Sequence, residues 1–162
     1  MRQLRLGIWI FALMLIQTVI SKYININSAI GNVLFAFSIV YSIYHSDDTD
    51  AFLVGMICAL ISASMSTRPF WAIILMFAYS IALSRLMNTK RGKLGETARS
   101  AVYVFLFSAV FETAIYAVIN RSMDLSALLY IVLPVSVMNA VFAIIIALVY
   151  PKTVRRRSIS FI

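Results

Sequence analysis

Long apolar runs follow one another along almost the whole chain, separated only by short polar clusters, and no soluble core of this size could hide them all. With 62% hydrophobic residues, 12% charged residues and a mean hydropathy of +0.94, the chain lies well outside the roughly 45 to 50% apolar usage of soluble domains. The solvent that accepts such a chain is a lipid bilayer. A length of 162 residues fits a single integral membrane domain, residues 1–162.

Six candidate spans emerge, at about Leu6 to Tyr23, Ala29 to Tyr44, Ala51 to Met65, Phe70 to Met87, Ser100 to Ile119 and Ser126 to Tyr150. An all-α fold follows, because a helix satisfies all its backbone groups within one segment. The third span would cover only roughly 22 Å of a hydrocarbon core of roughly 30 Å. It is therefore expected either in a locally thin region or inside the bundle. Arg2 and Arg5 resemble the start of a signal peptide, but the apolar stretch from Leu6 runs through Ile20 without a small-residue exit. A retained first helix is expected.

The net charge of +8 would suggest nucleic acid in a soluble chain. Here the basic residues flank apolar segments and report topology instead. Arg2, Arg5, Arg85, Lys90, Arg91, Lys93, Arg99, Lys152, Arg155, Arg156 and Arg157 fall on one side of a six-span chain, against Lys22, Arg68 and Arg121 on the other. The positive-inside rule puts both termini in the cytoplasm. Trp9, Tyr44, Tyr103 and Tyr150 are expected at the inner interface, and Tyr23 and Trp71 at the outer. The tail arginines, Arg155, Arg156 and Arg157, are candidates for contact with anionic lipid or a partner, and they also serve as topology anchors.

Glu112 is the one acid deep in an apolar span, close to the middle of the fifth. A charge there costs about 2.5 to 3.5 kcal/mol on insertion scales, so its face must meet protein or water. Spacing by four aligns Ser108, Glu112, Tyr116 and Asn120 on that face. Candidate mates are Ser136 and Asn139 in the last span, where Pro134 breaks the helix and frees a carbonyl, and Asn32 in the second. The cluster is either an interhelical hydrogen-bond clamp or a ligand or proton site. With no base to pair the acid, the clamp is favoured. In the third span Ala51, Gly55, Ala59 and Ala63 form a ridge of small residues suited to close helix packing.

Catalytic and cofactor signatures are sparse. His45 is the only histidine, Cys58 is the only cysteine and cannot form an intramolecular disulfide, and there is no H-E-x-x-H or Gly-rich phosphate loop. The acidic stretch Asp47, Asp48 and Asp50 fits a hydrated loop better than a metal site. The expectation is a non-enzyme without cofactor or metal.

Two stretches, AFLVGMICALISASMSTRPFWAIILMFAYSIALSRL and LPVSVMNAVFAIIIALVYPKTVRR, together with the length and the order of segments, resemble the MreD family of rod-shape-determining membrane proteins. Where many family members carry a second glycine and an acid in the third span, this chain has Ala59 and Ala63. The resemblance implies a scaffold in the bacterial cytoplasmic membrane that binds MreC and supports lateral peptidoglycan synthesis. Its wider partners would be MreB, a RodA-type glycosyltransferase and a class B penicillin-binding protein. The family also resembles in fold the six-helix S component of energy-coupling-factor transporters, which implies an alternative, a membrane binder of a small molecule such as a vitamin.

Overall fold

The computed structural model describes residues 2–23, 31–45, 47–88, 95–121 and 124–155. Among them there are only helices: α1 (Arg2–Tyr23), α2 (Val33–Tyr44), α3 (Asp48–Ser64), α4 (Phe70–Asn88), α5 (Glu96–Asn120), the short α6 (Leu125–Ala127) and α7 (Leu133–Arg155). A π-helical turn, Leu128–Val132, joins α6 to α7 in one continuous rod. The segments Phe70–Met87, Glu96–Ile119 and Leu125–Tyr150 are long and apolar enough to cross a membrane, and Leu6–Ile20 and Val33–Tyr44 are shorter apolar helices. The architecture is that of an α-helical membrane protein.

The bundle is organised around α2, whose residues from Val33 to Ile43 are all buried. It packs against α1, α3, α4, α5 and α7. Its sequence, VLFAFSIVYSIY, is apolar on every side, and its serines turn their hydroxyls back on the helix, Ser38 to Phe35 O and Ser42 to Ile39 O. A helix that is hydrophobic all round belongs in an interior. Of the two expectations for the short third span, enclosure within the bundle applies to α2 instead. Helix α3 buries Ala51, Val54, Cys58 and Ala63 but exposes Phe52, Leu53, Ile57 and Leu60.

Polar side chains set the ends of α2. Asn32 is its N-cap, accepting from Phe35 N at 3.0 Å. At the other end Arg85 of α4 reaches across to donate to the carbonyls of Ser42 and His45, where the helix dipole favours a cation. Arg85 also pairs with Asp48 at 2.6 Å. The acidic stretch is therefore not a free loop. Asp47 caps α3 by accepting from Thr49 N and Asp50 N, and α3 begins at Asp48, ahead of the expected Ala51.

Other boundaries shift for similar reasons. Helix α1 starts at Arg2 and α5 at Glu96, because polar residues continue a helix beyond its apolar part. Of the expected second span, Ala29 and Ile30 lie outside the described residues. Pro134 does not break the last helix. It lacks an N–H for the hydrogen-bond ladder, and just ahead of it the ladder widens, with Leu133 N–H donating to Leu128 O five residues back. At the start of the rod Asp124 accepts from Ser126, first from the side chain and then from the backbone, which holds its carboxyl below the usual carboxylate range.

Tyr103 and Tyr150 are buried against protein. Tyr150 packs edge-on against Trp9 and Phe37 and lies beside Tyr41 and His45, which stack on each other at 3.9 Å. These rings tie the start of α1, the end of α2 and the end of α7 into one cluster. Trp71, by contrast, is exposed.

The ridge Ala51, Gly55, Ala59 and Ala63 lies on the buried face of α3, against α2 and α4. Gly55 is its closest approach: a β-carbon there would lie 1.9 Å from Ile81 Cδ1 and 3.1 Å from Ile81 Cγ1. Gly7 of α1 has nothing within 4 Å of the same position. Gly55→Val should destabilise the bundle by about 1–3 kcal/mol through overpacking. Gly7→Ala should leave stability unchanged or raise it by up to about 1 kcal/mol through helix propensity. Thermal unfolding of the two variants in detergent checks the contrast.

Candidate functional site

Four elements meet at the N-terminus of α2, and each contributes a polar side chain. A helix start buried in an apolar bundle leaves backbone N–H groups that water does not reach. Gln17 of α1 answers two needs at once: its Oε1 accepts from Val33 N at 2.7 Å, and its Nε2 donates to Gly31 O at 3.0 Å. Asn139 of α7, fully buried, accepts from Asn32 N through Oδ1 and donates through Nδ2 to Ser108 Oγ of α5 at 2.8 Å. The Asn32 side chain donates to Ser62 Oγ of α3. One connected network thus joins α1, α2, α3, α5 and α7.

Glu112 stands beside this network. It is 5% exposed, and its Oε1 accepts from Arg68 Nη1 at 2.6 Å. Arg68 lies in the connection between α3 and α4, where the Ser66 hydroxyl accepts from its backbone N–H. The expectation that Glu112 has no base to pair with is corrected here. A residue assigned to topology alone folds inward to meet the acid. Because Glu112 sits two helical turns before the end of α5, the arginine needs to reach only about 12 Å below the helix terminus.

Of the predicted cluster, Ser108, Asn139 and Asn32 are joined directly by hydrogen bonds. Ser136 is buried but its hydroxyl donates to Val132 O of its own helix. Tyr116 lines a cavity of about 140 Å³ together with Arg68 and Glu112. The side chains of Asn120 and Arg155 lie outside what the structure describes, as do residues 156 and 157, the other predicted lipid-contacting arginines. Sequence reasoning missed Gln17, Ser62 and Arg68. Gln17 carried a usable signal, a lone amide in the run LMLIQTVI. Ser62 and Arg68 carried none, since membrane helices use serine freely and loop cations are common.

At the start of α2 lies a partly open cavity of about 210 Å³, bordered by Gln17, Asn32, Ser62, Arg68, Met76 and Glu112. The twelve residues of α2 span about 18 Å and the 25 of α5 about 37 Å, and the cavity borders the start of the shorter helix. Arg68 and Glu112 border both cavities and form the partition between them. The arrangement can hold helices in register and can hold a small polar guest. Among the described residues no nucleophile with an adjacent base and no group of metal ligands is brought together.

Asn139→Leu should remove both interhelical bonds of that side chain and destabilise the bundle by about 1–3 kcal/mol, because Ser108 Oγ and Asn32 N–H are left without partners. Ser136→Ala, which removes only a bond within its own helix, should cost well under half as much. Unfolding of both variants in detergent provides the measurement.

No family model matches this chain, and neither the curated proteins nor the solved structures searched contain a match.

Proposed function

We propose that the protein is a non-enzymatic scaffold of the bacterial cell-wall elongation machinery, with six crossings of the cytoplasmic membrane and both termini inside. The observation that carries this reading is the use made of the polar side chains. The residues within the two MreD-like stretches that face the interior, Gly55 and Asn139 above all, serve contact between helices. A bundle locked in this way presents a fixed outer surface, which a scaffold needs. Part of that surface is an apolar groove of about 170 Å³ between α4 and α5, lined by Trp71, Leu75, Tyr79, Phe111 and Val118, suited to a partner's helix.

Two features support the topology. The Trp9–Tyr150 contact brings the first and last helices together at one end, as an even number of crossings requires. The short α2 need not match the bilayer thickness, because its neighbours and not lipid surround it. On this reading MreC is the principal partner, with MreB, a RodA-type glycosyltransferase, a class B penicillin-binding protein and membrane lipids around the same assembly. Nucleic acid has no part in it.

A second reading, a membrane binder of a small molecule, draws on the cavity beside Glu112. At about 210 Å³ it is smaller than the roughly 300–1,000 Å³ of sites for drug-sized ligands. It favours a guest smaller than a vitamin.

Depletion in the rod-shaped bacterium that carries the chain should give rounded cells and mislocalised lateral wall synthesis, scored by microscopy with a fluorescent wall label. Cells that remain rods while losing uptake of a small metabolite would overturn the scaffold and support the second reading.

A further inference from the structure

The cavity above α2 has a chemically uneven wall. Gln17 spends its amide oxygen on Val33 N and its amide nitrogen on Gly31 O, and Asn32 spends its own on Phe35 N and Ser62. These amides are committed to holding helices. Arg68 and Glu112 are not fully committed. Among the described residues, the Arg68 guanidinium has one side-chain partner, Glu112 Oε1 through Nη1, which leaves its Nη2 and Nε without one. Glu112 Oε2 has none either. An unused cationic edge and an unused anionic oxygen therefore stand side by side, joined by a 2.6 Å contact, at the border of one cavity.

We propose that this cavity is a binding site for a small zwitterion, an α-amino acid with a short apolar side chain. A guanidinium edge matches a carboxylate in bidentate geometry. The second carboxylate oxygen of Glu112 accepts from an ammonium. An α-amino acid carries its two charges on a single carbon, so it can meet both halves of a contacting Arg–Glu pair without separating them. Its side chain would point to the apolar part of the wall, Met65, Ile73 and Met76. A volume of about 210 Å³ admits a guest the size of alanine or valine. A lone carboxylate or a lone amine would satisfy only one side of the pair.

This proposal rests on the second reading above, that the cavity is a binding site, and adds the class of its ligand. The test uses the full-length protein purified in detergent and equilibrium dialysis with radiolabelled alanine and valine. Saturable binding is expected, with N-acetylalanine and alaninamide, which lack the ammonium and the carboxylate respectively, at least about tenfold weaker, as the loss of a charged hydrogen bond implies. Arg68→Gln and Glu112→Gln should each weaken alanine binding by a similar factor. The analogues probe the unaltered protein, so the outcome does not depend on how those variants fold. Binding of N-acetylalanine as tight as that of alanine would overturn the zwitterion while leaving a binding site in place. No binding of any of the four compounds to well-folded protein would also overturn it, and a vitamin panel on the same preparation then decides separately whether the cavity binds anything.

Discussion

A helix that begins inside an apolar bundle must have its first backbone N–H groups met by protein, and the start of α2 is where this protein meets that demand. Each unmet buried donor costs about 1–3 kcal/mol. The solution recruits one side chain from each of several helices: Gln17 from α1, Asn139 from α7, and Asn32 acting on its own helix. Once these groups converge, the rotation and depth of α1 and α7 about α2 are fixed. The hydrogen bonds from Asn139 to Ser108 and from Asn32 to Ser62 extend the same constraint to α5 and α3. Five helices are positioned by the need to satisfy one terminus.

The opposite end of α2 is handled with different chemistry. Carbonyls accumulate there, and a cation rather than an amide answers them. Arg85 serves Ser42 and His45 and is steadied by Asp48, while the stacked rings of Tyr41 and His45 and the edge of Tyr150 seal the apolar side. The two ends also differ in what lies beyond them. At the Arg85 end the aromatic cluster fills the space under the helix. At the Asn32 end lies the cavity bordered by Arg68 and Glu112.

What the sequence reveals of this plan follows from what its patterns encode. Hydropathy encodes the solvent, so the all-helical membrane architecture was legible, and with it the inward face of α5 through the spacing of Ser108 and Glu112. Enclosure was offered as one alternative for α3 on the strength of its length, whereas the informative property was the uniformly apolar circumference of α2. The phenylalanines and valines of VLFAFSIVYSIY leave no face for lipid or water to be distinguished from. Partners were harder still. Glu112 and Arg68 are 44 residues apart, and an arginine in a connection looks the same whether it marks topology or folds inward. The Asn139–Asn32 contact spans 107 residues and was anticipated only because both are amides in apolar runs.

The Arg68–Glu112 pair differs in kind from the amide network beside it. The amides hold backbone groups that have no alternative partner, so the network has one arrangement. The ion pair joins a carboxylate on a helix to an arginine on a connection, with a cavity on either side and side-chain exposures of 7% and 32%. Solvent and guests can therefore compete for Arg68 in a way that they cannot compete for Asn139. A guest that occupied the free edges without breaking the pair would tie the α3–α4 connection more firmly to α5, since binding stabilises whichever arrangement it prefers. The groove between α4 and α5 lies on the same two helices, with Ile115 and Ile119 bordering both the groove and the smaller cavity beyond the ion pair. The polar cavity and the apolar groove are both lined by α5, the first through Glu112 and the second through Phe111 and Val118.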